Sequence, residues 1–242
     1  MSIRKHIPNT ITSMNLLCGA IGVILALAGR PDQAFLLMIA AACFDFCDGF
    51  AARLLGAYSE IGKELDSLAD DVSFGVLPAI MLYKTMQDGG CNFWLSLIPL
   101  VLAAFSALRL AKFNLDERQH DSFLGLPTPA SAMICGSFAC YVFCRPESVL
   151  AAAVVWIAPC LAIVLSALLV SEIPMFSFKM GKGIAPDPVA RMERISLVSI
   201  AAIAAVLTVF TGQHWSLVPL AVFTSYIVIS LVFLAVKRPE ST

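Results

Sequence analysis

Long stretches without a charged residue dominate this chain. Residues 7–29, 89–108, 122–144, 148–171 and 195–236 contain no Asp, Glu, Lys or Arg. A spanning helix needs about 20 predominantly apolar residues. The first four windows each meet that length, and the last suffices for two helices with a break near Thr211-Gly212-Gln213. Two more apolar stretches, residues 34–57 and 63–85, are interrupted by Asp45, Asp48, Arg53, Asp66, Asp70 and Asp71. Helices are expected throughout, because a non-barrel span must satisfy its backbone hydrogen bonds internally. The pattern predicts an all-α integral membrane protein: an eight-helix transmembrane bundle forming one domain over residues 1–242.

Basic residues orient the bundle, since cytoplasmic segments carry an excess of Lys and Arg. With both termini cytoplasmic, thirteen basic residues fall inside, and Arg30, Lys84 and Arg145 fall outside. Seven or nine helices would spoil this alternation. Arg4, Lys5 and the later Ala26-Leu27-Ala28 resemble a signal peptide. The stretch between is long enough to span and more spans follow, so a retained first helix is expected.

Composition agrees: 59% of residues are apolar and 14% charged, against about 25% charged in soluble domains. The net charge of −1 gives no electrostatic basis for nucleic-acid binding. The eight cysteines sit mostly inside apolar runs, and Cys43/Cys47 and Cys140/Cys144 are four apart on expected helices. With no C-x-x-C and with His6, His120 and His214 scattered, they read as small packing residues. Residues 172–194 contain Gly-Lys-Gly without P-loop spacing and read as a cytoplasmic loop.

The acidic residues carry the chemistry. Asp45, Asp48 and Ala52 share one face of the second helix, and Asp66 and Asp70 share a face of the third. The turn between, residues 56–62, is cytoplasmic by the orientation argument, so both pairs lie near the inner surface. Gly49 and Ala52 are small enough to admit another group against the backbone. A charged residue deep in a span costs about 2.5–3.5 kcal/mol, so four facing lipid would cost on the order of 10 kcal/mol. Arg53 and Lys63 cannot neutralise four carboxylates. Two divalent cations would, and hard oxygen ligands suit Mg2+, Mn2+ or Ca2+. Spacing alone leaves two readings open: metal-assisted phosphoryl chemistry, or a cation or proton pathway in a non-enzymatic transporter.

The run Asp45-x-x-Asp48-Gly49-x-x-Ala52-Arg53, eight more residues, then Gly62-x-x-x-Asp66-x-x-x-Asp70 resembles the signature of the CDP-alcohol phosphotransferase family at every fixed position. Flanking stretches resemble its membrane-integral phosphatidylserine synthase branch: IPNTITSMNLLCG (7–19), LDSLADDVSFGVLPA (65–79), RLAKFN (109–114), GLPTPAS (125–131) and PMFSFK (174–179). The resemblance implies transfer of a phosphatidyl group from CDP-diacylglycerol to the hydroxyl of serine, with release of CMP. The other acceptors within the family are glycerol 3-phosphate and inositol phosphate. It implies Asp45, Asp48, Asp66 and Asp70 as ligands of Mg2+ or Mn2+, two ions in all, with Asp70 also the general base. It implies Asn9, Gly49, Ala52, Arg53 and Ser59 as contacts to the CDP-lipid. Arg109, Lys112 and Asn114, with Lys179 behind them, are the candidates to hold the acceptor. A homodimer in the cell inner (cytoplasmic) membrane, with its site facing the cytoplasm, completes the expectation. Asp71, turned about 100° from Asp70 around a helix, is expected to be structural.

Overall fold

The computed structural model describes residues 6–115, 123–175 and 188–237. They form α1 (His6–Leu27), α2 (Pro31–Leu55), α3 (Glu60–Asp70), α4 (Leu77–Asp88), α5 (Phe93–Ser96), α6 (Val101–Leu115), α7 (Thr128–Cys144), α8 (Val149–Ala152), α9 (Val154–Val170), α10 (Pro188–Phe210) and α11 (Leu217–Lys237). The π-helical turn Asp71–Val76 joins α3 to α4, and the 3-10 turn Ile98–Leu100 joins α5 to α6. Among the described residues, His6–Leu27, Pro31–Leu55 and Phe93–Leu115 are helices long and apolar enough to cross a membrane. Thr128–Cys144, Val154–Val170, Ile195–Phe210 and Leu217–Val232 are shorter apolar helices. The outward face of the bundle carries Ile24, Phe46, Leu54, Trp156 and Val209, all largely exposed. Such a surface suits lipid rather than water. The protein is an all-helical membrane protein.

Local chemistry explains the helix boundaries. Gly56 adopts φ 57° and ends α2, with the Gly56 and Ala57 amides returning to the Arg53 and Ala52 carbonyls; glycine takes this left-handed conformation without a Cβ penalty. Ser59 then caps α3, its Oγ accepting from the Gly62 amide at 3.0 Å. The π turn precedes Pro78, which has no N–H to return to Phe74 and whose ring would crowd that carbonyl. Widening the turn relieves both problems, and it begins immediately after Asp70.

Charge counting located the apolar windows more accurately than the helix ends. The window that opens at residue 122 becomes helical only at Thr128, because Gly125 (φ +77°) and the Pro127 cap hold the chain extended. In the other direction α10 starts at Pro188 and runs through Arg191 and Arg194, since charge bars a residue from lipid but not from a helix. A two-residue antiparallel pair, β1 (Phe123–Leu124) with β2 (Pro174–Met175), is the one non-helical ladder among the described residues. Residues 176–187, which hold the Gly-Lys-Gly and Lys179, lie outside the described residues.

Every residue of α7 is buried except Pro129, Phe143 and Cys144. Helix α7 therefore runs through the middle of the bundle, between two apolar clusters. One is centred on Phe35, Met38, Phe74 and Met81, the other on Leu82, Ile134, Phe138 and Leu165. Helix α1 packs against α2, α3, the π turn and α4, with Pro8, Thr12, Asn15, Gly19 and Gly22 buried. A Cβ on Gly19 would stand 2.4 Å from Ser73 Oγ and 2.9 Å from Ser73 Cα. Backbone cannot yield as a flexible side chain does, so Gly19→Leu should destabilise the fold by about 1–3 kcal/mol, read as a lower apparent melting temperature in detergent. An unchanged melting temperature would show that α1 and the π turn are not in rigid contact.

Candidate active site

The acidic faces of α2 and α3 meet. Asp45, Asp48 and Asp66 each present a carboxylate oxygen, and these atoms lie within 4.8 Å of one another. Asp48 is buried, Asp45 and Asp66 half-buried. Asp70, one turn beyond Asp66, lies within electrostatic reach of all three. None of the four has an ion-pair partner among the described residues.

Helix α1 supplies the neutral donors. Thr12 Oγ1 donates to Asp48 Oδ2 at 2.5 Å, and Asn15 Nδ2 donates to Asp70 Oδ1 at 3.0 Å. Asn15 is held by its own backbone, whose carbonyl accepts from Ser73 Oγ at 3.0 Å. The buried Asp66 Oδ1 finds no hydrogen-bond partner among the described residues. Several carboxylates in contact, with few donors and one orphaned oxygen, form an arrangement that repels itself unless a cation is present. The donor set is all hard oxygen, so it fits a divalent ion of the Mg2+ or Mn2+ type.

A cavity of about 440 Å3 opens beside the cluster, lined by residues of α1 (Asn9, Thr12), α2 (Asp48, Gly49, Ala52) and the α2–α3 turn and α3 (Ser59, Gly62, Lys63, Asp66). Four of the five expected nucleotide contacts, Asn9, Gly49, Ala52 and Ser59, therefore share one wall. The fifth, Arg53, is exposed and not part of that lining, with Nε donating to the carbonyl of the lining residue Gly49 at 3.0 Å. A Cβ on Gly49 would meet nothing within 4 Å, leaving the backbone open to a ligand. One on Gly62 would press on Ser59 Oγ at 2.9 Å and Asn9 Oδ1 at 3.0 Å, so Gly62 lets α1 approach α3.

The acceptor candidates separate. Arg109 on α6 is buried, donates from Nη1 to Thr128 Oγ1 at 2.9 Å, and stands 5.5 Å over the Phe113 ring. Asp70 and Tyr226 lie within its electrostatic reach. Asn114 Nδ2 donates to Ser67 Oγ at 2.8 Å, and its carbonyl accepts from Lys63 Nζ at 3.0 Å, tying α6 to α3. Lys112 is exposed. Asp71 packs beside Ser106 across Gly75, where an added Cβ would collide with both side chains.

Thr12 and Asn15 were missed in the sequence reading. Their signal was present: Asn9, Thr12 and Asn15 form a polar row at three-residue steps in the first half of the first span, and polar groups in spans mark functional faces. Thr12→Val keeps the shape and deletes the donor to Asp48. Loss of such a supporting contact typically costs 10–100-fold in metal affinity. A weakening of about that size is expected, followed by Mg2+- or Mn2+-induced thermal shift. An unaltered affinity would remove Thr12 from the site.

Fold and site together define an integral membrane protein with a carboxylate-built, cation-seeking pocket between its first three helices. Residues 5–168 match the CDP-alcohol phosphatidyltransferase family, and the chain belongs to that family. It is 40% identical over 134 residues to the CDP-diacylglycerol–serine O-phosphatidyltransferase of Mycobacterium leprae, covering 52% of this chain and 44% of that one. It is 37% identical over 133 residues to the protein of the same name from Bacillus subtilis, with 53% and 72% covered. The archaetidylserine synthase of Methanothermobacter thermautotrophicus is 34% identical over 134 residues, with 54% and 57% covered. The chain thus spans less than half the length of the mycobacterial relative.

Proposed function

We propose that this chain transfers the phosphatidyl group of CDP-diacylglycerol to the hydroxyl of L-serine and releases CMP. The observation that carries the reading is the aspartate cluster, with its orphaned Asp66 oxygen, set in the wall of a cavity that also gathers Asn9, Gly49, Ala52 and Ser59. Relatives named for serine transfer match about half of the chain, 52% and 53%.

Asp45, Asp48, Asp66 and Asp70 would hold Mg2+ or Mn2+, two ions for four carboxylates. Such ions neutralise the diphosphate and favour departure of CMP. Asn9, Gly49, Ala52 and Ser59 cradle the nucleotide, and the exposed Arg53 offers its donor fork to a phosphate. Asp70 acts as general base: the serine hydroxyl gives its proton to this carboxylate as its oxygen bonds to the lipid-side phosphorus and the bond to CMP breaks. Asn15 fixes the Asp70 carboxylate by holding one oxygen. We assign Arg109 to the serine carboxylate; the support is that Asp70 lies within its electrostatic reach. Lys112 and Asn114 lie further out on the same helix. Arg109→Gln keeps a donor for Thr128 and deletes the charge. Since hydrogen bonds to charged groups contribute about 1.5–3 kcal/mol, the KM for serine should rise about 10–100-fold with kcat less affected. A change confined to kcat would give Arg109 another role.

We place the whole chain, residues 1–242, in one catalytic domain of eight spans. The rods 6–27, 31–55, 60–88, 93–115, 128–144, 149–170, 188–210 and 217–237 support that count. Both termini and the site face the cytoplasm, in the inner membrane, and two copies pair as a homodimer; the support is the distribution of basic residues and the family resemblance.

The test is an acceptor panel. Purified chain with CDP-diacylglycerol, Mg2+ or Mn2+ and labelled serine should form phosphatidylserine and CMP. Use of glycerol 3-phosphate or inositol phosphate instead would remove the serine assignment and leave the family reaction standing. Cation flux in sealed vesicles without CMP release would favour a carrier.

A further inference from the structure

We propose that Cys140, Cys144 and His214 form a second metal site, for a borderline-soft divalent ion such as Zn2+, at the end of the bundle remote from the aspartates. Their ligand atoms all lie within 4.8 Å of one another. The two thiols come from successive turns of α7, and the imidazole comes from the link between α10 and α11. Nothing in the proposed transfer reaction uses any of the three.

Three contacts hold the link against its neighbours. Arg145, just past α7, donates to the Gly212 carbonyl. Tyr141 Oη donates to Gln213 Oε1 at 2.7 Å. Trp215 stacks on Phe35 of α2 at 5.5 Å. The imidazole is therefore positioned by surrounding structure, as a ligand must be. Its Nδ1 lies 2.9 Å from Ser216 Oγ, and a hydrogen bond at one ring nitrogen is the usual companion of ligation through a histidine.

The chemistry of the donors separates the two sites. Sulfur and nitrogen at this spacing suit Zn2+ and disfavour Mg2+, whereas the all-oxygen aspartate cluster has the opposite preference. Two thiolates and a neutral imidazole balance a divalent charge, and binding releases the two thiol protons. Asp32, in the first turn of α2, and Arg145 lie within electrostatic reach of the group. Three protein ligands leave the fourth position of a tetrahedral ion to water. Cys144 and His214 are half-buried and give the ion access, while Cys140 is buried. Asp32 and Asp45 are thirteen residues apart on α2, roughly 20 Å along the helix, so the ion would not touch the catalytic cluster. It would tie the end of α7 to the α10–α11 link.

The test uses the full chain in detergent, reduced, stripped with chelator, then titrated with Co2+ in excess Mg2+. One equivalent of Co2+ per chain should produce thiolate-to-cobalt charge-transfer absorption with tetrahedral visible bands, and added Zn2+ should bleach both. Cys144→Ser and His214→Gln, partly exposed and so tolerant of substitution, should each abolish the one-equivalent spectrum while the metal-free proteins melt as the wild type does. Absence of the charge-transfer band in the reduced wild type, or its persistence in both variants, overturns the proposal.

Discussion

Asp70→Asn should lower CMP release by about 10²–10⁴-fold, the usual contribution of a positioned general base, while CDP-lipid binding is at least partly retained. The substitution is close to isosteric, and Asn15 Nδ2, which donates to Asp70 Oδ1 at 3.0 Å, can still meet an amide oxygen. The fold should therefore survive, and the loss should appear in kcat. Single-turnover release of CMP from the preformed complex with CDP-lipid reads the chemical step directly. A rate within a few-fold of the wild type would mean that the hydroxyl proton leaves by another route.

Asp66→Asn should show opposite signs with and without metal. Without metal, three carboxylates whose oxygens lie within 4.8 Å of one another repel. Neutralising Asp66 relieves that repulsion and should raise the melting temperature of the metal-free protein. With Mg2+ or Mn2+ present, the stabilisation that follows RT ln(1 + [L]/Kd) should shrink, because a ligand has gone. Turnover should fall by at least about 10²-fold, since a bound ion supplies several kcal/mol of transition-state stabilisation. An unchanged metal-induced shift would place the ion elsewhere. A lower metal-free melting temperature would mean that the cluster does not repel itself as its geometry implies.

The two predictions draw on the sequence to different degrees. The acidic faces of α2 and α3 follow from spacing alone, because steps of three and four residues put Asp45 with Asp48, and Asp66 with Asp70, on common faces. The turn between those faces, residues 56–62, was also legible, although the capping roles of Gly56 and Ser59 emerged only in the structure. Asn15 and Thr12 were harder to find, being 55 and 36 residues from the carboxylates they serve. Arg109 and Lys112 show the limit more clearly. Three residues apart on one helix, they look equivalent in sequence. The structure buries Arg109, which donates to Thr128 at the start of α7, and leaves Lys112 exposed. The cysteines make the same point. Cys140 and Cys144 read as packing residues until the α10–α11 link brings His214 against them.

Taken alone, the sequence determined the membrane class, the positions of most helices and the chemical character of the acidic cluster. These follow from local rules: charge is costly in lipid, and a helix repeats every 3.6 residues. Tertiary structure alone decided which neutral donors reach the carboxylates, which basic residue stands behind Asp70, and where two thiols find an imidazole. Each depends on how closely two distant helices approach. That approach is set by packing at positions such as Gly19 against Ser73 and Gly62 against Asn9, where absence of a single side chain permits a contact that no short stretch of sequence encodes.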